Sequence, residues 1–208
     1  MNTKKLKEAE KNFLKKFPGG FTHPEMVAIG KKHKMEKLIE QANENFKKAK
    51  FKNPLEILEN YHKLVSRSSM VSVFEKPKFK DFVNGLGAAE AKTLATGLQK
   101  MLHSNQKQGF EMMLEVLTRG KLAKWSLISV VPAYFHPGTE VFIKPTTAKG
   151  VIEYFDLKGL EYKPRPTWEF YEKYRDHILQ MKKVVSKTLS PNNAAFSGFL
   201  MMTMGEQK

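Results

Sequence analysis

The chain has 208 residues, of which 41% are hydrophobic and 27% are charged, and its formal net charge is +15. This length and composition allow one substantial core without disulfides or metal. The absence of cysteine excludes a disulfide framework, a thiolate metal site and a cysteine nucleophile. The first residues lack the apolar core of a secretory signal, and no run reaches the roughly 18 to 20 apolar residues of a membrane span. We therefore expect a cytoplasmic protein without a transmembrane segment.

The positive charge is concentrated at the start of the sequence. Residues 1–80 hold 19 basic and 9 acidic side chains, a net charge of +10, whereas residues 81–208 hold 17 and 12, a net charge of +5. Such a field attracts nucleic acid, anionic membrane surfaces or acidic proteins. Only four of the 36 basic residues are arginines, and lysines also serve solubility, so the charge alone is weak evidence.

Apolar residues at helical spacing run through most of the chain and predict an α-rich fold. The first predicted helix, over 3–17, is amphipathic and basic. Its apolar stripe suits docking on the core, which we favour, or attachment to an anionic membrane surface. Thr22 is the predicted cap of a long second helix, whose apolar line runs as far as Ala49. Asn53 and Pro54 then open a helix in which Leu55 is expected to face inward.

The rest of the chain is also predicted to be helical. In the short apolar run over 70–75, Val71, Val73 and Phe74 form either a strand or a buried connection. The stretch WSLISVVPAYF is the most apolar one, and it predicts a central buried helix interrupted or kinked at Pro132. The helices are predicted over 77–85, 88–103, 105–119, 125–135, 146–156 and 167–188, with a final helix after Ser190 and Pro191.

These patterns predict a mainly α-helical, single-domain, multi-helix globule that spans residues 1–208. Its basic N-terminal helical part covers 1–66, and its central and C-terminal helical core covers 76–204. We expect at most a minor β element, around residues 70–75 and 139–144. The chain shows no internal repeat and no low-complexity linker.

The stretch VFIKPTTAKG contains the start of a predicted helix with flanking lysines. Unpaired N–H groups at a helix start favour anions, so Thr146 or Thr147 with Lys144 and Lys149 form a candidate phosphate site. The glycine follows the second lysine, unlike the order in a P-loop, which excludes that nucleotide site. Plain helix initiation with a threonine cap explains the same residues without a ligand, and it is the favoured alternative.

The stretch RPTWEFYEKYR interleaves aromatic and basic residues. Single-stranded nucleic-acid binders use this combination, with bases stacked on rings and phosphates held by cations. On a helix, Trp168, Tyr171 and Arg175 share one face, with Arg165 just before it. The alternative, which we favour, is that these aromatics pack in the interior.

Five blocks of the sequence resemble a family of bacterial proteins that has no established activity. They are FPGGFTHPE, MVSVFEKPKFKDF, VFIKPTTAKG, RPTWEFYEKY and AAFSGFLMM, and they occur in the same order. The resemblance covers nearly the whole chain. It implies that one domain includes both the basic N-terminal part and the Lys-Pro-Thr junction, and it implies no catalytic residue, cofactor or ligand.

No enzymatic signature is visible in the sequence. The six histidines are dispersed, and the single pair His33 and Glu36 is more typical of a solvated helix face than of a metal site. There is no Gly-x-Ser-x-Gly nucleophile motif. We therefore predict no metal and no cofactor, and we lean against an enzyme.

The leading hypothesis is a protein that binds nucleic acid or another polyanion through a basic helical surface. The second hypothesis is an enzyme or small-molecule binder whose anionic ligand lies near the helix start at Lys144 to Lys149. The oligomeric state is open. The candidate anion-binding residues are Lys31, Lys34, Lys144, Thr146, Thr147, Lys149, Arg165, Trp168, Tyr171 and Arg175.

Overall fold

A computed structural model of the protein describes residues 1–205, which form eleven α-helices joined by turns and short 3-10 segments. No strand occurs within these residues, so the predicted mainly α-helical, single-domain fold is confirmed. Residues 206–208 of the predicted domain lie outside the described residues. In chain order the helices are α1 (Thr3–Lys16), α2 (Pro24–Lys32), α3 (Met35–Asn45), α4 (Pro54–Arg67), α5 (Glu75–Asn84), α6 (Ala88–His103), α7 (Gln106–Arg119), α8 (Trp125–Phe135), α9 (Pro145–Tyr154), α10 (Trp168–Val184) and α11 (Asn193–Gly205).

Side-chain caps explain where several helices begin. In each case an oxygen of the capping side chain accepts a hydrogen bond, at 3.0–3.3 Å, from the backbone N–H three residues further on. Such a bond satisfies one of the four N–H groups that the first helical turn leaves unpaired. The caps of this kind are Asn2, Asn53, Asn105 and Thr167.

Helix α8 lies at the centre of the core, as its sequence predicts. Every residue from Trp125 to Tyr134 is buried, and the helix continues through Pro132 without an interruption there. The Tyr61 hydroxyl of α4 donates to the Leu127 carbonyl at 2.5 Å, so a polar group in the core finds a partner. Buried side chains from α1 to α11 form one cluster around this helix.

Helices α6 and α7 form a hairpin in which their backbones touch. A Cβ added at Gly109 would lie 2.3 Å from the Met101 nitrogen and 2.5 Å from the Gly97 oxygen. A Cβ added at Gly97 would lie 3.0 Å from the Gly109 oxygen. The crossing therefore requires glycine on both helices, because any side chain at this point would separate them.

The predicted long second helix is wrong, because α2 ends at Lys32 and α3 begins at Met35. His33 still bonds its backbone N–H to the Ile29 carbonyl at 3.0 Å, but Lys34 adopts a left-handed conformation with φ of 52°. This residue turns the chain between two helices whose apolar stripes both face the core. The predicted cap of this helix is wrong as well, because His23 and not Thr22 caps α2.

The sequence allowed at most a minor β element around 70–75 and 139–144, and within residues 1–205 neither stretch forms a strand. Val71 is buried, but Val73 and Phe74 are 69% and 78% exposed, so neither belongs to a buried connection. Over 139–144 the backbone N–H of Ile143 bonds to the Ser129 hydroxyl at 3.0 Å, where a strand would need a partner strand. Leu55, expected to face inward, is 69% exposed.

The α6–α7 crossing leads to a paired prediction. We expect Gly109→Ala to lower the free energy of unfolding by about 1–3 kcal/mol, because the added methyl group meets backbone atoms that cannot move aside. Gly30→Ala is the matched control, since a Cβ at Gly30 in α2 has no atom within 4 Å. The control should be neutral or stabilising by up to about 1 kcal/mol through helix propensity. Urea unfolding followed by circular dichroism measures both changes, and equal effects would contradict the close crossing.

Candidate functional site

The corner between α2 and α3 presents several cations. Lys31, Lys32, Lys34 and Lys37 are all exposed there. His33, at the point of the turn, places its Nδ1 at 2.7 Å from the Ser69 hydroxyl oxygen, in the segment after α4. The left-handed Lys34 and this contact together fix where the lysines lie.

Segment 68–74 is hydrogen-bonded to the core at its ends and is exposed to solvent over much of its length. The Ser68 side chain is buried, and its hydroxyl lies 3.0 Å from the Tyr134 hydroxyl of α8. The same Ser68 oxygen accepts a hydrogen bond from the backbone N–H of Met70 at 3.1 Å. At the far end, the Glu75 carboxylate accepts a bond from the Ser126 hydroxyl, also of α8, at 2.5 Å. Both ends of the segment are thus attached to the central helix.

The contact between His33 and Ser69 joins two basic stretches that are more than thirty residues apart in sequence. Residues 31–37 and 67–81 together hold eight lysines and arginines against three acidic residues. We call this surface the basic corner. Its exposed cations are Lys31, Lys32, Lys34, Lys37, Arg67, Lys78 and Lys80.

The aromatic face of α10 does not form a stacking surface, because Trp168 and Tyr171 are both buried. The Arg175 side chain is only 13% exposed, and its guanidinium group lies over both rings, at 5.6 and 5.8 Å from their centroids. The packing alternative therefore describes these three residues. Arg165 remains exposed, before the helix.

Arg175 is instead part of a buried polar network around Glu140, whose side chain is 5% exposed. Arg175 Nη1 lies 3.0 Å from one carboxylate oxygen, and the Tyr171 hydroxyl donates to the other at 2.7 Å. The Gln106 amide nitrogen donates to the first oxygen at 3.0 Å, and Asn193 donates to the Glu140 carbonyl at 2.8 Å. Both carboxylate oxygens are satisfied, so the network has the features of a structural group and not of an open site.

Burial in this region shifts two pKa values. Loss of solvent, followed in importance by the negative charge of Glu140, raises the pKa of the Tyr171 hydroxyl well above its ordinary value of 10.0. Partial burial lowers the pKa of Lys182 below its ordinary value of 10.5. The Lys182 ammonium group donates to the Gly138 carbonyl at 3.1 Å and to the Asn193 side chain at 2.5 Å. These donations hold the turn before Glu140 against α10.

The helix start at residues 144–149 lacks the threonine cap that its sequence predicts. Lys144 precedes α9 with extended dihedral angles and no side-chain cap, and Pro145 takes the first helical position. Thr146 and Thr147 lie inside the first turn, so neither is the predicted cap. The Lys149 ammonium group lies 5.1 Å from the centre of the Tyr162 ring.

Two shallow depressions on the described surface do not include this helix start. One, of about 320 Å³, is lined by Lys158, Lys173, Asp176, His177 and Gln180, and the His177 Nδ1 atom within it is buried without a hydrogen-bond partner. The other, of about 390 Å³, includes Arg165 and Arg119. Arg119 bonds to Glu90 and Glu115 at 3.2 and 2.6 Å, which raises its pKa and offsets its charge.

Functional inference for this chain rests on its fold and its surface, because the comparisons with known proteins found no match. No protein-family model, no curated protein and no solved structure matches the chain. The resemblance to an uncharacterised bacterial family therefore stays a prediction. Within residues 1–205, histidine and acidic side chains form no group of three or more suited to a metal ion. None of the helices described there combines the length and apolar character needed to cross a bilayer.

The sequence identified part of the basic corner and missed the rest. Lys31 and Lys34 were predicted from charge, and both are exposed on it. Arg67 and Phe74 are not candidates in the sequence, because the link between their segment and these lysines depends on the contact between His33 and Ser69. One signal was available: a serine such as Ser72 favours a local turn, and its hydroxyl accepts from the Phe74 N–H two residues on, just before α5 begins.

The Glu140 network leads to a stability prediction. We expect Glu140→Gln to lower the free energy of unfolding by about 2–4 kcal/mol, because Arg175 then keeps its charge in a mostly buried position with only the exposed Asp176 carboxylate, 4.0 Å from its Nε, as an anion. Adding Arg175→Gln should restore part of the loss, since the double variant buries no unpaired charge. Chemical denaturation measures both. The control is Glu59→Gln, which breaks an exposed pair with Lys63 and should cause no measurable change.

Buried tyrosines lead to a prediction of alkaline unfolding. Burial raises the pKa of Tyr61, Tyr134, Tyr171 and Tyr174 above the ordinary value of 10.0. Above about pH 10 the unfolded chain loses these protons and the folded chain keeps them, so folding stability should fall as the pH rises further. Urea midpoints from circular dichroism, measured together with tyrosinate absorbance, test this. Ionisation of all the tyrosines near pH 10 with the helical signal intact would contradict it.

Proposed function

We propose that the protein binds nucleic acid, or a polyanion of similar charge density, through the basic corner. The observation that supports the proposal is the contact of His33 with Ser69, which joins the exposed lysines of the α2–α3 turn to the segment that leads from Arg67 to the lysines of α5. Phosphate groups of a nucleic acid are attracted by such a concentration of cations, and the release of condensed counterions drives their binding.

Pairing within the protein supports the choice of this surface over others. Several cations elsewhere already have carboxylate partners, such as Lys63 with Glu59 at 2.6 Å and Arg119 with Glu115 at 2.6 Å. In the basic corner, eight cations face three acids, and one of these acids, Glu75, is bonded to Ser126. The corner therefore keeps an excess of positive charge for an external partner.

The proposal is tested with a double variant, Lys31→Gln with Lys34→Gln. Both side chains are exposed, so we expect no loss of folding stability and weaker binding to labelled nucleic acid in fluorescence anisotropy. The slope of log K against log salt should become shallower by about 0.7–0.9 for each phosphate contact that is lost.

The matched control removes the same charge from another place. Lys183 and Lys187 are exposed near the end of α10, and Lys183→Gln with Lys187→Gln changes the net charge equally. If the control weakens binding as much as the corner variant does, the whole-chain charge attracts the ligand and the corner is not a site. If the unaltered protein shows no binding near physiological salt, the proposal is wrong.

A further inference from the structure

Phe74 stands in the basic corner as the most exposed large hydrophobic residue of the described chain, with 78% of its surface accessible. Its neighbour Val73 is 69% exposed. The ring makes no contribution to the core, because the buried side chains of this part of the molecule are Val71 and Phe79 on either side of it. An ordered aromatic ring held in solvent between two core residues is available to an external partner.

The backbone that carries the ring is fixed before any ligand arrives. The Ser72 hydroxyl accepts a hydrogen bond from the Phe74 backbone N–H at 3.3 Å. The Ser72 carbonyl accepts from the N–H groups of Glu75 and Lys76 at 3.0 and 3.3 Å. Glu75 is in turn held by Ser126 of α8. Binding to the ring therefore requires little ordering of the chain, which reduces the entropic cost of association.

The spacing of α5 places a cation next to the ring. Phe74 already has helical dihedral angles, with φ of −78° and ψ of −21°. Lys78, four residues on, consequently lies one turn along the same face of α5, and it is exposed. The contact of His33 with Ser69 joins the lysines of the α2–α3 turn to the segment that carries Phe74, five residues further along the chain.

The exposed ring and its neighbouring cation bear on which of two anionic partners binds here, a lipid bilayer or a single-stranded nucleic acid. Attachment to a bilayer strengthens with the apolar area that it buries, and the area exposed here is small: Val73 and Phe74, with Val27 and Ile29 of α2 at 40% each, of which Phe74 is the aromatic one. A single ring among cations is instead the arrangement that single-stranded nucleic-acid binders use, with a base on the ring and phosphates on the lysines.

We propose that Phe74 is a stacking platform for an unpaired base, so that the ligand of the basic corner is single-stranded nucleic acid. This inference rests on the proposed function and adds the class of nucleic acid and the group that recognises it. The bases of a duplex are stacked on one another, so a duplex reaches the lysines with its phosphates but leaves the ring unused.

The test compares three variants of the full chain, Phe74→Ala, Phe74→Leu and Leu55→Ala, with labelled oligo-dT, oligo-U and a DNA duplex. Phe74→Ala and Phe74→Leu should each weaken single-strand binding by about 5- to 100-fold, since neither replacement has an aromatic face. Duplex affinity and the salt slope should not change, because no phosphate contact is removed. Leu55→Ala removes an apolar side chain that is 69% exposed at the start of α4, and it should have no effect. Unchanged thermal unfolding midpoints confirm that every variant is folded.

Other outcomes would overturn the inference in distinguishable ways. Binding that survives Phe74→Ala removes the stacking role and leaves the proposed function in place. Full recovery by Phe74→Leu means that the contact is apolar and not a stack. Vesicles of phosphatidylserine and phosphatidylcholine are tested in parallel, and Phe74-dependent binding to them without binding to oligonucleotides assigns the surface to a membrane. Absence of binding to all three nucleic acids removes both the proposed function and the inference.

Discussion

The buried carboxylate of Glu140 is the constraint on which the arrangement of the C-terminal half depends. A charge in the interior is tolerated only when it is paired and hydrogen-bonded, and here Arg175, Tyr171 and Gln106 supply the partners. Because these residues come from α7 and α10, the turn that carries Glu140 is fixed to both helices. Asn193 adds α11 through the Glu140 carbonyl. Satisfying one carboxylate thus sets the mutual positions of three helices.

This network also removes aromatic and basic side chains of α10 from the surface. Arg175 and Tyr171 are committed to Glu140, and Trp168 lies beneath the guanidinium group, so these three residues of the most conspicuous aromatic and basic stretch are internal while Arg165 stays exposed. An aromatic residue beside cations at the surface is found instead at Phe74, in a stretch whose composition is less distinctive. Residue type alone does not separate the two, because burial depends on what the rest of the chain brings to each face.

Local sequence patterns predict the helices, except where contacts between residues far apart in the sequence determine the structure. The bounds of α6 were predicted from apolar spacing, and the buried α8 from its continuous apolar run. The break at His33 and Lys34 was not, because the apolar stripe continues across it and the turn uses a left-handed lysine and a contact with Ser69. In the sequence, positive charge alone makes Lys31 and Lys34 candidate anion-binding residues. Sequence separation concealed the contact that joins their turn to the segment between Arg67 and Phe74.

The attachment of segment 68–74 to α8 has a consequence for proteolysis. A protease must draw its substrate into an extended conformation, so an exposed loop is cut easily only when its ends are free to move. Here Ser68 is bonded to Tyr134 and Glu75 to Ser126, both on the most buried helix of the fold. Arg67 and Phe74 therefore present side chains that proteases recognise on a backbone that resists being drawn out. Cleavage at these positions requires the segment to separate from α8, and its rate reports the opening of the core rather than the exposure of the loop.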